Sequence, residues 1–167
     1  MMWFLRWLES WLPKTTINVN GIPYLTRCYL LGKDWRWGNV YLHHFHSSDQ
    51  GDELHSHPWS WGLSLVLAGG YFEERSRNPG HWSAGGRHPE APDGMTMEST
   101  VPIEKRDIKP GRLNLIKVTD FHRVDLKDEK RGAWTLFFTG PRSTDWGFLN
   151  RHTSEFTDWR RNPEAIP

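Results

Sequence analysis

A single cysteine, Cys28, leaves this 167-residue chain without an internal disulfide, which suits a reducing compartment. Long apolar runs are missing too: no stretch approaches the length of a membrane span. Neither sign of charge is in excess. The 21 basic and 20 acidic side chains give a net +1, too little to draw the chain broadly onto nucleic acid or an anionic bilayer. Cys28 lacks a glycine-flanked elbow, and neither Gly69-Gly70 nor Gly85-Gly86 forms a phosphate-cradling motif. These absences leave the expectation of a soluble, cytoplasmic domain with one core that handles a small molecule and has no nucleic-acid partner.

Two residue types are plentiful. The eleven tryptophans are a means for a small domain to fill its core. The nine histidines are less easily absorbed by packing, because His43, His44, His46, His55 and His57 cluster. The opening MMWFLRWLESWLP is interrupted by Arg6 and Glu9 and lacks a small-residue cleavage site, so it does not read as a signal peptide. Trp3, Trp7, Leu8 and Trp11 recur at helical spacing. They predict an amphipathic helix over residues 1–13, ended by Pro13 and docked on the domain or on a second copy in a homodimer. A helix lying in a membrane interface is the rival reading.

After Pro13 the chain reads as short strands: TTINVNG with a hairpin-forming Asn20-Gly21, then IPYLTRCYLLG, GNVYLHHFH, LSLVLAGGYFEER, RLNLIKV, FHRVDL and GAWTLFFTG. The expected fold class is all-β, a sandwich or barrel over residues 14–150 followed by a tail over 151–167. Residues 77–95 are rich in Gly and Pro and predict a long loop, a candidate flap carrying His81, Trp82, Arg87 and His88.

The stretch DELHSHPWSW places His55 and His57 two apart, so on a strand both imidazoles point to one side, with Glu53 at the same parity. Two such rings are half of a transition-metal site, or else two solvent-facing histidines at a strand end. His44 and His46 share a parity of their own, opposite to His43, and either could reach a cavity or serve as sheet-face polar groups. Tyr71, Glu73 and Arg75 alternate on one polar face, from which Tyr71 is a candidate donor to substrate. Trp134, Leu136 and Phe138 are the expected core-filling set, opposite Thr135, Phe137 and Thr139. Arg142 is placed to meet an anionic substrate or to pair with Asp145.

The run HSHPWSWGLSLVLAGGYFE followed by GRLNLIKVTDFHRVDL resembles the cupin superfamily, whose small double-sheet barrels carry two such motifs. His55 and His57 match the histidine pair of the first motif. Gly111, eleven positions before His122, matches the spacing of the second. The resemblance implies a double-stranded β-helix (an RmlC-like jelly roll) and a metal held by His55, His57 and His122. This sequence departs from the pattern twice: Trp61 and Gly62 stand where the motif glutamate is expected, and Lys117, Val118 and Thr119 replace a proline-glycine turn.

A three-histidine set is similar to that of the cupin thiol dioxygenases, which use ferrous iron; zinc, nickel, manganese and copper also suit imidazole. LHSHPW, LAGGYFEE, FHRV and WTLFFTGPRSTDWGF together resemble small single-domain cupins of phages and bacteria. A metal-dependent dioxygenase is therefore expected. The rivals are a metal-dependent isomerase or hydrolase with Glu53 or Tyr71 in the catalytic role, and a non-catalytic binding cupin. Glu53 is also a candidate fourth ligand or acceptor for a ligand imidazole.

Overall fold

Asn20 and Gly21 both take positive φ (52° and 76°), the conformation a two-residue hairpin demands and Asn-Gly supplies. They join β1 (Lys14–Val19) to β2 (Ile22–Tyr29), which runs antiparallel to β3 (Asn39–Phe45). The computed structural model describes residues 2–32, 37–77 and 101–161; residues 78–100, and with them most of the expected flap, lie outside the described residues. Short β4 (Glu53–His55) precedes β5 (Trp61–Ala68) and β6 (Tyr71–Arg77). β7 (Glu104–Ile108), β8 (Leu113–Lys117), β9 (Asp120–Leu126) and β10 (Ala133–Thr139) follow, then β11 (Gly147–Asn150) and β12 (Phe156–Asp158).

These strands form two six-stranded sheets. The first has the order β1-β2-β3-β10-β5-β8 and the second β12-β11-β4-β9-β6-β7. The expected all-β barrel is what forms, with two corrections. The chain expected to be a tail from residue 151 turns back as β12, which covers the edge of β11. β4 and β7 also join the second sheet, although neither has enough residues to show an alternating pattern.

Gly69, at φ +75°, shows why the β5–β6 turn needs glycine: a Cβ there would sit 2.2 Å from the Gly132 carbonyl oxygen. Tyr71, Val66, Val124 and Leu126 pack between the sheets beyond this turn. At the other end the interior is polar. Arg75 (1% exposed) donates to Glu73, Asn114, Asp120 and the Leu115 carbonyl at 2.6–3.1 Å, bridging the two sheets. A buried guanidinium is tolerable only when its charge is matched in this way.

Helix α1 (Met2–Trp11) lies on the outer face of the first sheet. Leu5 is buried there with Cys28, Leu42, Ala68 and Trp134, and Met2, Leu8 and Leu12 pack around them. Burial of one such leucine contributes roughly 1.5–3 kcal/mol. The sequence expectation inverted the helix: Trp3 and Trp11 are each 75% exposed and Trp7 54%. Aliphatic residues meet the sheet, and the aromatic row faces outward. Trp134 likewise fills the layer beneath α1, whereas Thr135 and Phe137 on the opposite parity line the barrel interior.

Candidate metal centre

β4 pairs with β9 through a single register match, His55 opposite His122. His57 follows two residues later, after β4 has ended. One nitrogen from each of the three imidazoles lies within 4.8 Å of the others. His57 Nε2 and His122 Nε2 are 2.8 Å apart.

Two carboxylates orient these rings. Glu73 and His122 are diagonal neighbours across the β6–β9 ladder, and His122 Nδ1 donates to Glu73 Oε1 at 2.8 Å. An ionised carboxylate only accepts, so the lone pair of His122 resides on Nε2, toward His57. Asp49 Oδ2 stands 3.5 Å from His55 Nδ1 and accepts from the Val124 amide at 2.6 Å. Burial pushes Glu73 upward, but the hydrogen bond from His122 and the Arg75 guanidinium outweigh it and hold the carboxyl at about 2. Burial depresses His55 to about 4, against the attraction of Asp49. Burial and then the neighbouring His55 and His122 keep His57 well below the usual histidine range.

Burial thus keeps His55 and His57 neutral, and the three rings, two of them held from behind by carboxylates, aim nitrogens at one spot. That donor set fits a divalent transition ion, and three protein ligands leave coordination positions open. Among the described residues no carboxylate joins the histidines as a donor to the same point. Glu53, the candidate fourth ligand, lies on the wall of the adjoining cavity; the carboxylates that orient the imidazoles are Glu73 and Asp49.

The cavity holds about 260 Å³ and is walled by aromatics, among them Trp59, Phe137 and Tyr71. Tyr71 is buried, and its hydroxyl accepts from Asn114 at 3.3 Å. His43, not His44 or His46, faces this space, stacked between Tyr41 and Phe137. His44 and His46 are on the opposite face, beneath α1. Arg27, directly across the ladder from His43, also lines the cavity. Its guanidinium lies 5.3 Å from the Tyr41 ring centroid and 6.0 Å from that of Trp59. Arg27 Nε and His43 Nε2 are buried without hydrogen-bond partners. Sequence reasoning missed Arg27, although a cation at the inward parity of IPYLTRCYLLG is a usable signal. Arg123 points away and donates to the Asp49 carbonyl. Asp145 pairs with Arg160 rather than Arg142.

Two facing antiparallel sheets with histidines converging inside describe a double-stranded β-helix. The chain has the cupin fold. Among solved structures it is similar to iron(II) HppE, at 8% identity and a TM-score of 0.53 over 78% of this chain and 57% of that one. It is also similar to Streptomyces albus HEPD with iron(II) and 2-hydroxyethylphosphonate bound, at 10% identity and 0.51, over 80% of this chain and 25% of that one. A double-stranded β-helix protein from Klebsiella pneumoniae aligns over 80% of this chain at 14% identity, with a TM-score of 0.48. The chain thus spans little more than half of HppE and a quarter of HEPD. No family model and no curated protein matches it.

Proposed function

We propose that this cupin is a metal-dependent oxygenase acting on a small organic anion, with His55, His57 and His122 as the protein ligands of one divalent ion. The observation that carries the reading is the convergence of three imidazoles, one nitrogen of each within 4.8 Å of the others, beside an aromatic-walled cavity. A ferrous ion there supplies redox chemistry through the positions that three ligands leave open. The iron(II) of HppE and HEPD makes iron the first metal to test.

The chain's own residues do the rest. Glu73 and Asp49 hold the imidazole rings in place. Arg27 and His43 face the cavity as a cross-strand pair, and each has a buried nitrogen without a partner. A carboxylate or phosphonate would satisfy both, because a planar guanidinium matches two oxygens at once. Trp59 and Phe137 exclude water from the reacting end.

Glu53 favours a second reading. It stands on the cavity wall with no ion pair or hydrogen bond to its carboxylate among the described residues. A free carboxylate beside an ion suits the general base of an isomerase or hydrolase. The experiment is anaerobic loading of metal-stripped protein with Fe(II), then addition of nitric oxide as an oxygen surrogate, read by electron paramagnetic resonance. One iron per chain with a nitrosyl signal, both lost in His57→Ala, is the expected result. A site that retains zinc and rejects iron moves the assignment to the second reading. Failure to hold any of these ions overturns both.

A further inference from the structure

A second group of ligands lies on the other side of the first sheet. His44 on β3 and His46 just beyond its end face outward, α1 lays Glu9 over them, and one donor atom from each lies within 4.8 Å of the others. We propose that Glu9, His44 and His46 bind a second divalent ion of the zinc class, which fastens α1 to the barrel.

Four observations carry this. First, His44 is 7% exposed and its Nδ1 faces Glu9 Oε2 at 3.3 Å, yet that nitrogen makes no hydrogen bond. Buried ring nitrogens are ordinarily satisfied, and a cation between imidazole and carboxylate would satisfy this one. Second, the ring is aimed by packing. It stacks on fully buried Trp134 at 3.8 Å and 13°, so it cannot swing toward a different partner without opening the core. Third, His46 Nε2 lies 2.8 Å from Thr26 Oγ1. A neutral ring that donates there keeps its lone pair on the other nitrogen, the arrangement by which an outer hydrogen bond presets a metal ligand. Fourth, the Glu9 side chain is only 16% exposed, and no lysine or arginine pairs with it among the described residues. Lys14 bonds the Glu9 backbone carbonyl instead.

Two imidazoles and one carboxylate form the donor set of a tetrahedral zinc-class site with water in the fourth position. Its consequence differs from that of the central site. α1 has ten residues, too few to be a stable helix alone, so its order depends on docking. An ion bonded to both β3 and α1 would make that docking depend on metal. Cys28 provides an internal reporter. It is fully buried beneath α1 with Leu5, so it becomes reachable when the helix lifts.

The test titrates zinc alone into metal-stripped wild type, Glu9→Gln, His57→Ala and the double variant, reading bound metal and the rate of Cys28 alkylation. Circular dichroism confirms that each remains folded, and the isosteric Glu9→Gln change is chosen to preserve packing. Zinc bound by His57→Ala with an affinity that drops about tenfold or more in the double variant is the expected result. Zinc should also slow Cys28 alkylation in His57→Ala and leave it unchanged in the double variant. Zinc binding in His57→Ala that is indifferent to Glu9→Gln, or no zinc binding in His57→Ala, overturns the proposal. Loss of zinc from the central site alone would leave both Glu9-dependent readings in place, so the two sites fail separately.

Discussion

The chain carries two His-x-His pairs, His44/His46 at the end of β3 and His55/His57 at the end of β4, and they end in opposite places. The second pair points between the sheets, where Asp49, Glu73 and His122 meet it. The first points outward under a helix, where it meets Trp134, Thr26 and Glu9. Strand parity is the same in both. What separates them is which layer covers each face, and that choice is made by the whole topology rather than by the spacing.

The strongest way to break the comparison is at His57. His57→Ala should abolish tight binding at the inner site and leave the barrel folded, because the sheet ladders and apolar clusters do not depend on that ring. Metal content measured alongside a thermal melt checks it; unfolding on metal loss would make the inner ion structural. Glu73→Ala should cost stability heavily, up to about 3–5 kcal/mol by urea denaturation, because it removes one of the two carboxylates that hold buried Arg75 and leaves only Asp120. Glu73→Gln should cost less stability and still weaken inner-site metal affinity by roughly 10–100-fold, since His122 loses its anionic acceptor.

Arg27→Met should sharpen the division within the cavity. Metal affinity should be unchanged, while methylphosphonate added to the iron-loaded protein should bind about tenfold more weakly, read by its effect on the nitrosyl spectrum. The smallest effect separates the two pairs by pH. In metal-free protein burial depresses His43, His55 and His57, with His55 at about 4, and burial then His46 and Arg6 depress His44 to about 3. Unfolded chains protonate these rings below about 6.5. Stability should therefore be full above that pH and fall as pH drops toward 4, with the His44 share continuing toward 3. Denaturant midpoints across this range would show the decline, and saturating zinc should flatten it. A midpoint that rises on acidification would contradict neutral buried rings.

The long alternating runs that became β2, β3, β5, β6, β8, β9 and β10 were legible, as were the Asn20-Gly21 turn and the pairing of distant His122 with His55 and His57. β4 and β12, three residues each, carry no periodicity to read. Glu73 was visible as a polar inward position between Tyr71 and Arg75. Its partners come from β8 and β9, contacts that sequence cannot rank. Which of His43 and the His44/His46 pair faces the cavity, and which of the two buried layers Trp134 fills, were not legible, for one reason. Both faces of the first sheet are covered, by the second sheet on one side and α1 on the other, so burial marks neither as the inside.

Arg75 opposite Glu104 is the last rung of the β6–β7 ladder, with Arg77 and Glu104 pairing just beyond it at 3.3 Å. That ladder is a clasp on the polypeptide between the two strands. The entropy of closing a chain grows only with the logarithm of its length, so doubling it costs about 0.6 kcal/mol. The barrel is therefore nearly indifferent to how many residues the clasp encloses. Sequence drift can thus change the length of chain joining β6 to β7 at little cost to the pairing of the two strands, which leaves both sheets free of any demand on that length.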